Sequence, residues 1–363
     1  MTIRRQVVWW NVQRLLRPTG RALSRALNAT AADGWTRATF DEKVARCAAT
    51  LRQLTGGIRP AMVALAEVAD DNLAARLIEE SELGLQVVRE KASTMAGADL
   101  VLLIDPDLFT TVGEPIAHNV SNRFTTRDVY EVRLEAVNGV PLVVLLCHWP
   151  SRLISNSGSL RIAAADWTRR LVEQHLKFPI TAIVDSQGRR QLPPLADLDK
   201  RARTPLLVLG DFNDSPYDTS VDEVLGCIRD PARALASLST PTKRTGRAVD
   251  TYLSRRIRLV NPCWPLLMGT PGGSTYWNGQ WWLLDQVIHS AGMLPGAHRT
   301  PGEAGIDIVA DSIQLKAPRS IDVLGRIVPW CSPAGVPLPY DPRTRKGVSD
   351  HLPLLFEIDI YEA

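Results

Sequence analysis

Near its C-terminal end the chain carries Asp350 beside His351, within a run that starts at Gly347, Val348 and Ser349. About 140 residues earlier, Leu209 and Gly210 lead into Asp211, Phe212 and Asn213. The first segment sets a carboxylate next to an imidazole. The second sets a carboxylate and an amide two residues apart, just past an apolar run. Oxygen ligands for a hard cation, a group that orients water and donors for a developing negative charge are what phosphoryl transfer needs. The segments are far apart in sequence, so a fold has to bring them together.

The elements that would do so are legible as short apolar runs that end in polar residues. Val7 to Trp10 ends at Asn11, Ala61 to Ala66 at Glu67, Leu142 to Cys147 at His148, and Leu206 to Leu209 at Gly210 and Asp211. Leu283 and Leu284 lead into Asp285 and then Val287 and Ile288. Each run has strand length and is apolar at both parities, which predicts central strands buried on both faces. Any single polar strand end is ordinary. Asn, Glu, His, Asp and Asp at successive ends point to a site, because sites collect where strands end. Helical periodicity falls between the runs, over Asp41–Leu54, Asn72–Leu83 and Arg161–Leu176. The alternation of Tyr130 to Ala136 predicts a half-exposed strand.

Composition sets the outer bounds. The chain has 363 residues, 45% of them hydrophobic, enough for one large α/β domain with insertions or for two domains. Its 42 Lys+Arg against 39 Asp+Glu leave +3, a balance that permits a nucleic-acid partner without demanding one. The five cysteines are scattered and form no C-x-x-C pair, which predicts reduced core thiols, no disulfide framework and no zinc site. No apolar run reaches membrane-spanning length, and the one after Arg4 and Arg5 stops at Asn11, too short for a signal peptide. A soluble cytoplasmic chain with no membrane partner is the expectation. Phe178–Pro205 is polar and reads as an insertion at about 178–205, a candidate rim for a groove. The proline-rich stretch at about 330–342 reads as a surface loop.

Taken in order, these segments resemble the endonuclease/exonuclease/phosphatase superfamily with the deoxyribonuclease-I-like fold. The matching residues are Trp10 to Gln13, Leu65 to Val68, Cys147 to Arg152, Gly210 to Asn213, Leu284 to Val287 and Ser349 to His351. Thr126 to Asp128, His148 to Arg152 and Ser274 to Trp281 are similar to a bacterial branch known only as nuclease- or phosphatase-like. The resemblance implies a single domain over 1–363, a four-layer α-β-β-α sandwich of two mixed sheets with helices outside, and a site where strand ends converge at one edge.

The resemblance also implies roles. Glu67 is the main Mg²⁺ ligand, with Mn²⁺ as a substitute; Asn11 helps to hold the metal or the phosphate, and Asp350 is a further acidic ligand. Asp211 orients and deprotonates the attacking water, and Asn213 donates to phosphoryl oxygens. His351 stabilises the transition state, Asp285 fixes its tautomer, and His148 contacts the scissile phosphate or leaving group. Arg127 and Arg152 are phosphate forks. Trp149, with Trp277, Trp281 and Trp282, is a candidate wall for base stacking. His118, His175, His289 and His298 receive no role.

Two departures bear on substrate. Gln13 stands where abasic-site endonucleases of the superfamily carry an acid, and their tyrosine-bearing segment has no match. The expected activity is metal-dependent phosphodiester hydrolysis, of DNA first and RNA after it, with a small phosphorylated metabolite, lipid headgroup or nucleotide signal as the alternative. A scaffold protein that has lost activity is the third reading, and the complete acid, amide and imidazole set argues against it.

Overall fold

The computed structural model describes residues 1–15, 34–68, 71–88, 100–120, 128–154, 156–179, 183–185, 187–189, 193–238, 250, 252, 257–297 and 303–362. In chain order the first half contains β1 (Thr2–Leu15), α1 (Arg37–Thr55), β2 (Met62–Val68), α2 (Asp71–Ser81), β3 (Gln86–Val88), β4 (Leu100–Ile104), β5 (Phe109–Thr111), β6 (Ile116–His118), β7 (Val129–Ala136), β8 (Pro141–His148) and α3 (Ser157–Leu176). There follow α4 (Leu195–Ala202), β9 (Leu206–Asp211), β10 (Cys227–Ile228), α5 (Pro231–Ser237), β11 (Leu259–Val260), β12 (Thr275–Trp277), β13 (Gln280–Trp282) and β14 (Asp285–Ser290). The last elements are β15 (Gly305–Leu315), β16 (Ser320–Val323), β17 (Arg326–Pro329) and β18 (Leu354–Tyr361).

Two large mixed sheets result. The six-stranded one runs β15-β18-β1-β2-β4-β3, and the eight-stranded one runs β10-β11-β14-β9-β8-β7-β5, with β6 also pairing with β7. The double parity of the apolar runs explains how they stack. In β1, Val7 and Trp9 share a core with Leu142, Val144, Leu146, Leu207 and Leu209 of the other sheet. Val8 and Trp10 instead pack with Val44 and Leu51 of α1 and Leu73 and Leu77 of α2. On β8, Leu142, Val144 and Leu146 face the shared core, while Val143, Leu145 and Cys147 face α3. The layers are therefore helices, sheet, sheet, helices, as the resemblance implied, and burying both faces of each sheet is what drives the stack.

The helices start and stop where local chemistry allows. Thr36 caps α1 by accepting from the Thr39 backbone N–H, the Thr39 hydroxyl accepts in return from the Thr36 N–H, and Gly56 closes the helix in the left-handed region at φ 61°. All five cysteines are buried and none is in a disulfide. No helix among the described residues is long and apolar enough to cross a membrane.

Three expectations change. Glu131 of β7 is buried, not half-exposed, because His118 and His175 close on its two carboxylate oxygens at 2.8 and 3.0 Å. The described part of 178–205 includes α4, whose Arg201 donates to the Lys177 carbonyl at the end of α3, and none of it lines the cavity described below. The proline-rich stretch is anchored: Trp330 and Tyr340 are buried, and the Trp330 ring lies 5.6 Å from that of Trp10.

Gly210 shows how tightly the strands approach next to the acid they deliver. A Cβ there would stand 2.7 Å from the Cys147 carbonyl oxygen and 2.8 Å from its Cβ. Gly210→Ala should therefore lower the unfolding free energy by about 1–3 kcal/mol in urea melts, the usual range for overpacking.

Candidate active site

The polar strand ends meet at one edge of the sandwich. In register, Asp211 of β9 lies between His148 of β8 and Asp285 of β14. Asn11 and Glu67 come from the parallel pair β1 and β2 of the other sheet. Asp350 and His351 come from the segment before β18, which an isolated bridge between His351 and Thr275 ties down. Several residues at these strand ends leave regular strand geometry: Gln13, Arg14, Glu67 and Asn213 have φ of 54, 50, 64 and 50°. Non-glycine residues held in the left-handed region cost energy, and they cluster at functional sites.

Asp285 is wholly buried, and both of its oxygens are used. Oδ1 accepts from the Trp9 indole at 2.8 Å, and Oδ2 pairs with His351 Nδ1 at 2.6 Å. Its backbone N–H donates to Ser274 Oγ. The His351 Nε2 edge then faces Asp211 Oδ2 at 3.8 Å. Burial alone would lower the His351 pKa, but the Asp285 and Asp211 carboxylates override it and hold the imidazole proton well above the usual 6.5.

His148 Nε2 faces the same oxygen of Asp211 at 3.7 Å and Glu67 Oε1 at 3.9 Å. Asn11 bridges the two acids: its Nδ2 donates to Glu67 Oε1 and Asp211 Oδ2, both at 3.1 Å, while its Oδ1 accepts from the Gln13 N–H. Expected as a metal or phosphate holder, Asn11 stands here as a donor bridge, because its nitrogen, not its oxygen, faces the carboxylates. Burial pushes the Asp350 carboxyl up, His351 pulls it back and Glu67 adds to the rise. Asp211, Asp285 and His351 offer ligand atoms within 4.8 Å of one another. Asp285 lies behind His351 and does not line the cavity, whereas the carboxylates of Glu67, Asp350 and Asp211 do, Glu67 being held there by Asn11 and the Arg14 N–H. Carboxylate oxygens are the donor set that a hard divalent ion takes.

The expected substrate handles fare differently. Asn213 gives its N–H to Asp211 Oδ1 and one amide hydrogen to the Trp149 carbonyl, each at 3.0 Å. Arg152 donates from Nε to the Asn213 carbonyl and from Nη2 to Asp214 and Asp218, and its guanidinium lies 4.4 Å from the Trp282 ring centroid. That makes it a brace at the rim more than a free fork. Trp149 corrects its expectation: it is 2% exposed, edge-on to Phe212 at 4.7 Å, and a buried ring cannot stack on a base. Arg127 lies outside the described residues.

Glu67, His148, Asp211, Asn213, Asp350 and His351 border a cavity of about 410 Å³, within the range of small-ligand sites. Trp277 and Trp282 of the β12–β13 hairpin stand on its rim, Trp277 with half its surface exposed. Sequence reading missed Trp9, whose indole role hides inside an apolar run, and Arg14, which lines the mouth. It also missed Lys43 and Arg46, buried on α1; two cations among the helix's apolar positions were the available signal.

A family model described as Endonuclease/Exonuclease/phosphatase family matches residues 23–184, a span holding Glu67 and His148. Over that span, which is less than half of the chain, the sequence is similar to the endonuclease/exonuclease/phosphatase family. Solved structures share the fold of this chain. ANGEL2, a 2',3'-cyclic phosphatase in complex with adenosine-2',3'-vanadate, aligns at TM-score 0.53 and 12% identity over 99% of this chain and 96% of that one. D. rerio TDP2 humanized by 14 mutations aligns at 0.52 and 11% over 98% of each chain. D. rerio TDP2 complexed with a single strand DNA product aligns at 0.51 and 12%, again over 98% of each. No curated protein matches the chain in sequence. At these identities the likeness is one of fold.

In NMR titrations of the metal-free protein, the His351 ring should titrate above 6.5. Asp285→Asn should bring that midpoint down. Because the folded pKa is raised, the stability this imidazolium contributes is complete below 6.5 and is lost as pH rises through the folded value.

Proposed function

We propose that this protein is a metal-dependent phosphodiesterase whose preferred substrate is DNA or RNA. One observation carries the reading: two imidazoles, His148 and His351, face the same oxygen of Asp211 beside the carboxylates of Glu67 and Asp350. Glu67 and Asp350 would hold a Mg²⁺ ion, with Mn²⁺ as a substitute; when bound, it supplies positive charge to a phosphoryl oxygen.

The remaining steps belong to the chain. Asp211, itself fixed by Asn11 and the Asn213 N–H, orients a water in line with the leaving oxygen and accepts its proton. The new bond forms from water oxygen to phosphorus as the ester oxygen departs. His351, kept protonated by Asp285, donates Nε2–H to the phosphoryl oxygens where charge builds. His148 faces the departing oxygen and returns a proton to it. The second amide hydrogen of Asn213 is available to the phosphoryl group.

The nucleic-acid preference rests on the rim. Half-exposed Trp277 lines the same cavity as the acids, and base stacking is tolerant of sequence. Trp277→Ala should raise KM for single-stranded DNA about 5- to 160-fold, the equivalent of about 1–3 kcal/mol of stacking, and leave bis-p-nitrophenyl phosphate hydrolysis unchanged. A second reading, a small phosphorylated substrate, is favoured by Arg152, whose Nε and Nη2 donors are engaged internally, and by the net charge of only +3.

Hydrolysis of supercoiled, linear and single-stranded DNA, RNA and bis-p-nitrophenyl phosphate, with Mg²⁺, Mn²⁺ or EDTA, tests the proposal. Metal-dependent cleavage of nucleic acid should fall about 100-fold or more in His351→Ala. Cleavage of the small diester alone moves the substrate to the second reading. Inactivity on every substrate with either metal would overturn the proposal.

A further inference from the structure

Lys43 and Arg46 of α1 are both fully buried, a costly arrangement for two cations. Leucine or methionine would fill the same space without stripping water from a charge. What the two cations touch explains their presence. Lys43 Nζ donates to the Val348 carbonyl, and Arg46 donates from Nη1 to the Gly347 carbonyl at 2.6 Å and from Nη2 to the Arg345 carbonyl at 2.7 Å. The Tyr340 ring packs over both, 5.3 Å from the ammonium and 5.2 Å from the guanidinium.

These bonds fall on the segment that delivers Asp350 and His351. Farther along it, Ser349 Oγ donates to the Asn11 carbonyl, Thr275 Oγ1 to the Asp350 carbonyl and Trp10 Nε1 to the His351 carbonyl. The segment is thus tied down almost residue by residue. Lys43 makes the charged tie closest to Asp350, and its ammonium is within electrostatic reach of both Asp350 and Glu67. Gly347 makes the approach possible: at φ 73°, a Cβ added there would lie 2.1 Å from the Pro339 carbonyl oxygen.

We propose that Lys43 is a positioning residue: through the Val348 carbonyl it holds Asp350 and His351 in register with Glu67 and so sets the site's uptake of a divalent cation. This inference rests on the metal-dependent reading above. Outer partners of this kind usually change metal affinity or activity about 10- to 100-fold when removed.

The test compares wild type, Lys43→Met, Lys43→Gln and Val44→Ala, the last a packing control on the same helix. Mn²⁺ binding is measured by calorimetry without substrate, and Mn²⁺-dependent hydrolysis of bis-p-nitrophenyl phosphate gives kcat and KM. Lys43→Met should weaken Mn²⁺ binding and lower kcat by about 10-fold or more with KM within about twofold. Lys43→Gln, which keeps an amide donor, should recover part of both. Val44→Ala should lower the melting temperature and leave both within about twofold of wild type. A folded Lys43→Met with Mn²⁺ affinity and kcat within about twofold of an active wild type overturns the inference alone. If Lys43→Met does not fold, Lys43→Gln is held to the same threshold. A wild type that neither binds Mn²⁺ nor cleaves the diester overturns the metal-dependent reading and this inference with it.

Discussion

The buried carboxylate of Asp285 is the constraint around which the site is arranged. A charge with no exposed surface must be met by donors, and the two it finds come from different parts of the chain: the Trp9 indole on one sheet and His351 on the segment before β18. Satisfying that one group therefore locks the two sheets and the terminal segment into a single relative position. It also decides the state of His351, whose proton is held by Asp285 and Asp211 against the penalty of burial.

The remaining site geometry follows from where strands are forced to stop. Parallel and antiparallel pairing bring Asn11, Glu67, His148, Asp211 and Asp285 to the same edge, and register sets His148 and Asp285 on either side of Asp211. Left-handed backbone at Glu67 and Asn213 turns the chain immediately at those ends. Asn11 then cross-links the acids of the two sheets through one amide nitrogen. This arrangement sets the carboxylates of Glu67, Asp350 and Asp211 around a common cavity.

Arginine and tryptophan illustrate the limit of reading residue types. Arg152 and Trp149 belong to one motif with His148, yet one braces Asp214 and Asp218 and the other packs against Phe212. Trp277, of the same type as Trp149, is half exposed on the rim. A side chain's neighbours on other elements decide whether a guanidinium or indole meets solvent, and nothing within the motif encodes them.

The sequence by itself marked the central strands β1, β2, β8, β9 and β14 and the helices α1, α2 and α3, in order: apolar runs of double parity suit strands covered on both faces, and amphipathic segments between them suit the covering helices. It also marked the acids and imidazoles at strand ends, since hydrophobic runs must terminate and these residues terminated them. Tertiary structure alone decided which of them touch. The Trp9–Asp285–His351 chain, the Asn11 bridge and the Lys43 tie all join residues far apart in the chain. Their geometry depends on how two twisted sheets pack, a cooperative outcome of the whole core that no local pattern contains.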